Sequence, residues 1–296
     1  MSSSPKTNMQ GFFCALLAGT LLAAAAVVSR YAYDGGIDLI TLVTIRTFIV
    51  VVLLGFSLWV AKIDCTLSRH LLKPTIVNGV LFVLMTLGYL GSIKFIPVGL
   101  ATLIFFTFPV MIAVLVFLFG IEKVTLSKLV TIIVAFFGLV VMLGASTGAM
   151  DWRGGALALI GAIATAFNAI QIRQHFSTQN AFVTGFHISC FSLITLIIIC
   201  LFFSSSLHLP TSATGWAGTL GVGLFQSGGT PLYLYAISRI GALKAGMAVN
   251  IQPVVAVTAA WILFGELLEF PQAVGGGMVL LAIIAMQVID YKKTDS

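Results

Sequence analysis

The chain has 296 residues, 59% of them hydrophobic and only 8% charged, and its mean hydropathy is +1.13. Soluble domains carry about 25% charged residues, so a chain of this composition cannot solvate its own surface and a soluble fold is excluded. The formal charge of +6 comes from residues scattered between apolar runs, without the basic stripe of a nucleic-acid surface; it reads as topology control, with the lipid bilayer and not nucleic acid as the partner.

A helix that crosses a bilayer needs about 20 mostly apolar residues. Ten such runs follow in chain order, at 11–29, 39–60, 74–93, 98–120, 126–144, 154–172, 181–203, 214–237, 242–264 and 271–289. The first could be mistaken for a signal peptide, but Gly11 matches Gly155 at the start of a second unit 144 residues on, so it is read as a span. Connections are short and leave no room for a soluble domain. The expected fold is therefore all-α and integral to the membrane, with ten transmembrane helices. The polar stretch 145–153 joins a first unit, 1–147, to a second, 148–296.

The two units repeat each other. Between 89–122 and 233–266, eight of thirty-four positions are identical, among them Tyr89/Tyr233, Pro109/Pro253 and Glu122/Glu266. Each unit holds five spans, and an odd number makes the second unit enter the membrane upside down. Inverted repeats of this kind are the architecture of many secondary transporters, with the substrate site near the midplane. Lys and Arg fix the orientation. With the N-terminus inside, eleven lie in cytoplasmic segments and three opposite, Arg46 being left out because it lies within a span. Both termini are expected in the cytoplasm.

Pro109 and Pro253 lie near the centres of spans 4 and 9. Each removes a backbone donor and frees the carbonyl four residues back, at Phe105 and Val249. In hydrocarbon that group must face protein or water, so these prolines either kink the helices for packing or line and hinge a site. Span 8 carries Gly228, Gly229 and Pro231, which weaken it near mid-depth, with Gln226 close by. Interrupted apolar segments point to a transporter site; close glycine packing is the competing reading. Asn168 and Gln171 share one face of span 6, and Asn250 and Gln252 precede Pro253. Such amides serve as interhelical hydrogen-bonding glue or as ligands. Tyr89 and Tyr233 combine an apolar face with a polar tip suited to an amphipathic solute, or belong to an interfacial belt. Phe105 and Phe106 stand beside the first break, and the pairs Phe106/Asn250 and Phe108/Gln252 are where the copies differ.

All nine carboxylates fall in loops, span ends or the tail. Proton-coupled carriers usually place Asp, Glu or His at depth; only His187 could serve. Arg46 is the intramembrane cation, at a cost of about 2.5–3.5 kcal/mol on insertion scales. It snorkels to the interface, pairs with Asp34 or Asp38 in a gate, or attracts a substrate carboxylate. Glu122 and Glu266 end the proline-bearing spans, where a carboxylate opposes the helix dipole; they are read as gating or structural groups. The four cysteines and four histidines show no metal spacing, and no phosphate-binding Gly-rich motif or nucleophile–base pair is present. Neither a cofactor, a metal nor an enzyme is expected.

Together these features resemble the drug/metabolite transporter superfamily, specifically its EamA-type members. The segments Ile251-Gln-Pro-Val-Val-Ala-Val and Trp261-Ile-Leu-Phe-Gly-Glu266 are similar to the family's second-half pattern. Phe108-Pro-Val-Met-Ile with Phe119-Gly-Ile-Glu122 is a weaker first copy, and Arg46 matches the family's helix 2 arginine. The second copy departs at Cys190. The resemblance implies two five-helix repeats around a cavity lined by helices 1, 3, 4, 6, 8 and 9. It implies transport of a small organic solute, with export of amino acids or similar metabolites across a bacterial inner membrane as the leading expectation; separately, a monomer or weak homodimer is expected. A proton-coupled drug antiporter and a lipid scramblase or flippase are the alternatives.

Overall fold

The structure, a computed structural model, describes residues 5–122, 124–144, 151–203, 208–265, 267 and 269–294. Glu266, Lys123 and linker residues 145–150, with the boundary between the two units, lie outside the described residues. Within them, the regular elements are helical. They are α1 (Pro5–Asp34), α2 (Leu39–Val60), α3 (Leu72–Ser92), α4 (Val98–Phe105), α5 (Phe108–Leu118), α6 (Leu126–Leu143), α7 (Trp152–His175), α8 (Ala181–Phe203), α9 (Ala213–Ile240), α10 (Ala242–Val249), α11 (Ile251–Phe264) and α12 (Phe270–Thr294).

The helix starts follow capping chemistry. Asp38 caps α2 by accepting from the N–H groups of Ile40 and Thr41, and Asp151 caps α7 by accepting from Arg153 N–H. Burial pushes the Asp38 carboxyl up, but hydrogen bonds from Thr41, His208 and Ile40 outweigh it and hold the carboxyl below the usual carboxylate range. The same corner is tied to the segment before α9, where Thr211 N–H donates to the Gly35 carbonyl at 2.9 Å.

Spans 4 and 9 are each broken just before their prolines. α4 gives way to α5 across Phe106 and Thr107, and α10 to α11 at Asn250. Pro109 and Pro253 sit in the first turn of the second piece, where no intrahelical N–H is required. The last turns tighten to three-residue spacing, with Thr107 N–H on the Ile104 carbonyl and Asn250 N–H on that of Met247. Span 8 behaves differently. The weakening expected at Gly228, Gly229 and Pro231 does not interrupt it, and α9 runs unbroken through Pro231. Tertiary packing explains this. A Cβ at Gly229 would stand 3.0 Å from Leu22 Cγ, so the bare glycine lets α1 press against α9 and hold it in helical form.

Three helix pairings dominate: α1 with α9, α3 with α7, and α6 with α12. The α3–α7 crossing is close because Gly88 faces Gly161. A Cβ at Gly88 would lie 2.8 Å from the Leu157 carbonyl oxygen and 2.9 Å from Gly161 N, both backbone atoms that cannot move aside. Outside, large apolar side chains stay exposed, including Trp59 at 74%, Phe117 at 71% and Leu126 at 77%. Nine helices among the described residues are long and apolar enough to cross a membrane, and the chain is a multi-pass membrane protein. α9 is not one of the nine. Its 28 residues reach about 42 Å at 1.5 Å per residue, but its glycines, Gln226, Ser227 and threonines dilute its hydropathy.

Gly88→Val is expected to lower the detergent melting temperature and folded yield, as overpacking of about 1–3 kcal/mol does. Gly91→Ala, whose Cβ would meet only Leu157 Cδ1 at 3.9 Å, should leave both unchanged. Fluorescence-detected size exclusion after a heat ramp reads the difference.

Candidate functional site

The second helix break and the unbroken α9 bring unsatisfied polar groups into the bundle interior. Asn250, 2% exposed, closes α10, and its side-chain oxygen is buried without a hydrogen-bond partner among the described residues. The hydroxyl of Tyr233 on α9 is likewise buried and unpartnered. Gln226 lies seven residues earlier, hence on the same face of α9; it is buried and makes no hydrogen bond among the described residues. Burying such groups costs free energy unless something satisfies them, so this interior is suited to a polar guest.

The first break is lined by rings. Phe105 stacks on Tyr89 with centroids 4.6 Å apart, and Phe106 and Phe108 extend the cluster at 5.5 and 5.9 Å from Phe105. Tyr89 Oη is 2.9 Å from Thr102 Oγ1. The counterpart of Thr102 in the second unit, 144 residues on, is Gly246. That exchange is the local reason why Tyr89 has a hydroxyl partner and Tyr233 has none.

Other amides are spent on packing. Asn168 Nδ2 donates to Asn78 Oδ1 at 3.0 Å, and Asn78 Nδ2 donates to the Pro74 carbonyl at 2.8 Å, so this pair binds α7 to α3. Gln171 and Gln252 are half-buried. His187 Nδ1 lies 2.9 Å from the Val183 carbonyl one turn back on its own helix.

Arg46 lies seven residues inside α2. Its Nη2 donates to Thr86 Oγ1 on α3 at 3.1 Å, and its Nε is buried without a partner. The pairing with Asp34 or Asp38 does not form. Asp38 is occupied as a cap, and Arg46 joins none of the ion pairs among the described residues. Its ionisable neighbour is Tyr33, which is itself within electrostatic reach of Tyr89 and Asp38.

At the opposite end of the bundle, Glu122 Oε1 accepts from Ala242 N–H at 2.8 Å, at the N-terminus of α10, and lies 3.8 Å from Arg173 Nε. Arg173 Nη1 also donates to the Ser238 carbonyl at 2.7 Å. The helix start attracts the carboxylate, and Gly241, at φ +88°, leaves room for it, since a Cβ there would meet Glu122 Oε1. This contact joins segments 120 residues apart and knits the end shut. All residues from Gly241 to Asn250 are buried, with α10 wedged among α1, α5, α7, α9 and α12. The matching segment of the first unit, 97–106, is more open: Pro97 and Val98 are exposed, and the main neighbours of α4 are α3, α6 and α7. An open groove over Gly55, Leu58, Trp59 and Lys62 lies at the end of α2, apart from the helix breaks.

Sequence reasoning picked out Tyr89, Tyr233, Asn250 and Arg46. It missed Tyr33, Asn78, Thr86, Thr102 and Arg173. Asn78 was the findable one, an amide in an apolar span one face away from a glycine contact; Arg173 was hidden in a loop-charge count.

An all-helical membrane bundle with two broken helices and a polar interior defines a membrane transporter, and the comparisons with known proteins agree. The model of the EamA-like transporter family matches twice, over residues 9–144 and 152–287, and the chain belongs to that family. It is similar to the "Uncharacterized transporter YoaV" of Bacillus subtilis (strain 168), at 24% identity over 256 residues, covering 81% of this chain and 84% of that one. A crystal structure of a protein described in no further terms shares the fold, with a TM-score of 0.77 at 19% identity over 100% of both chains.

Removing the carboxylate in Glu122→Ala is expected to open the α10 end. Loss of a capping contact of about 1 kcal/mol shifts a closed-to-open ratio about fivefold. In a background lacking the native cysteines, a cysteine at Ala242 should then react with a soluble maleimide about five times faster, whereas Glu122→Gln, which keeps the hydrogen bond but loses the charge that pairs with Arg173, should raise the rate less.

Proposed function

We propose that this chain is a secondary transporter that carries small organic metabolites, such as amino acids, across the membrane by alternating access, with export as its direction. In this reading α9 is the tenth span. Residues 1–147 and 148–296 are inverted five-helix repeats, and both termini lie in the cytoplasm of a bacterial cell whose inner (plasma) membrane holds the protein as a monomer or weak homodimer. Neither catalysis nor a cofactor takes part.

The observation that carries the reading is the unequal packing of two matched broken helices. α10 is sealed beneath the Glu122 contact while its counterpart α4 is loosely covered. Copies of one unit in two packings supply the two ends of a rocking cycle, because exchanging the packings closes one end and opens the other. By the positive-inside asymmetry, the sealed end is the cytoplasmic one. Tyr89, Phe105, Phe106, Gln226, Tyr233, Asn250 and Gln252 then line the solute path near mid-depth. Asn168 and Gln171 stand on the wall helix α7, and Pro109, Pro253, Glu122 and Glu266 form the moving frame.

Purified protein in liposomes is expected to give saturable flux of labelled neutral amino acids, and Asn250→Leu to reduce that flux about tenfold by removing a buried polar contact. An imposed pH gradient should leave the rate unchanged, and labelled lipid should not cross. Flux that follows the pH gradient would favour proton-coupled drug antiport, and lipid crossing without solute flux would favour a scramblase; either result replaces the proposal.

A further inference from the structure

Arg46 is a half-buried cation within the bundle, and among the described residues it joins no ion pair with an acid. Its Nη2 is held by Thr86, and its Nε is buried and unpartnered. Among the described residues the ionisable group within its electrostatic reach is Tyr33, a neutral phenol. A buried guanidinium normally finds a carboxylate, because only an anion matches its charge and its planar fork of donors. Asp38, the nearest acid in sequence, is committed to the α2 N-terminus and to His208 N–H. The second unit carries Cys190 at the matching position, so the fold does not require an arginine there.

The surroundings complete a binding shape. Tyr33 is within electrostatic reach of both Arg46 and Tyr89, and the Tyr89 ring lies against Phe105. An anion at Arg46 would meet the hydroxyl of Thr86, which accepts from Arg46 Nη2 at 3.1 Å, while the Tyr89–Phe105 rings form an aromatic wall on the same side of the bundle as α3 and α4. A single positive charge matches a single negative one, whereas a phosphate, near two charges, would call for a second cation. An ammonium carried by the same solute would find aromatic faces rather than a carboxylate.

We propose that Arg46 is the anchor for a carboxylate of the transported solute, and that solutes of this carrier pair one carboxylate with an apolar or aromatic body. The inference rests on the transport reading above. Anchoring on α2 and α3, away from the sealed α10, places the charged group toward the open end while the body reaches the breaks. A guanidinium held by a hydroxyl, with no resident carboxylate among the described residues, is free to release its anion when the bundle rocks. The asymmetry Arg46/Cys190 then means that one unit holds the charge and the other, through Tyr233 and Asn250, offers uncharged polar contacts.

The test is binding by purified protein in nanodiscs, measured by saturable thermal stabilisation with two matched pairs: phenylacetate against phenylacetamide, and L-leucine against L-leucinamide. At least one acid of the two pairs is expected to bind at least about tenfold tighter than its amide, the effect of a charge-assisted hydrogen-bonded pair. The pair that shows it tells an anion from a zwitterion. Arg46→Gln should bring that ratio to about 1, and Arg46→Lys should restore part of it, which a merely structural role would not do. Equal binding of acid and amide by the unaltered protein, no binding of either acid, or an acid preference that survives Arg46→Gln overturns the proposal. A loss of acid and amide alike in Arg46→Gln, with no recovery in Arg46→Lys, also overturns it. Liposome flux separates the two readings: flux without acid preference removes the anchor alone, and absence of flux removes the transport reading.

Discussion

Two prolines in the middle of an apolar bundle deny their helices a backbone donor where no water can replace it. In hydrocarbon each unpaired backbone group costs several kcal/mol, and spans 4 and 9, unlike α9 with its Pro231, meet that constraint by breaking. They end, tighten and restart at Phe106–Thr107 and at Asn250. The second break places the Asn250 side chain inside the bundle, aromatic rings line the first, and each span is left as two helical pieces.

Symmetry creates this frame and departures from it create chemistry. The copies keep the prolines and the tyrosines, yet Thr102 answers to Gly246, Phe106 to Asn250 and Arg46 to Cys190. Each exchange changes one polar balance: Tyr89 is satisfied and Tyr233 is not, the first break is apolar and the second is polar, and only the first unit has an arginine at the matched position on its second span. A carrier with two identical halves would offer a solute the same surface from both sides. Unequal halves orient it.

The sequence made the fold class legible, because apolar runs of bilayer length and a 144-residue repeat need no tertiary knowledge. That Pro109 and Pro253 disturb their spans was legible for the same reason, since a missing donor is a local fact; that each span splits into two helices was not. What depends on a partner was not. Gly228, Gly229 and Pro231 argue for an interruption by propensity, but Leu22 packs on the bare glycine face and α9 stays whole. Asn168 is indistinguishable from a ligand until Asn78 is found opposite. Glu122 sits at a helix end that repels it, and only the fold brings the start of α10, 120 residues on, to accept it. Arg46 and Asp38 look like a pair by sequence spacing, yet the cap at α2 takes the carboxylate first.

The central claim is that the two broken helices exchange their packings, so that one end of the bundle opens as the other closes. Pulsed electron–electron resonance on spin labels tests it most directly, with one pair at Phe119 and Arg239 near the Glu122 seal and another at Val98 and Leu263 toward the opposite end, in protein stripped of native cysteines. The account predicts two distance populations for each pair, shifting in opposite directions when a bound solute is added. A single, unchanging distance for both pairs, or both ends widening together, would contradict it.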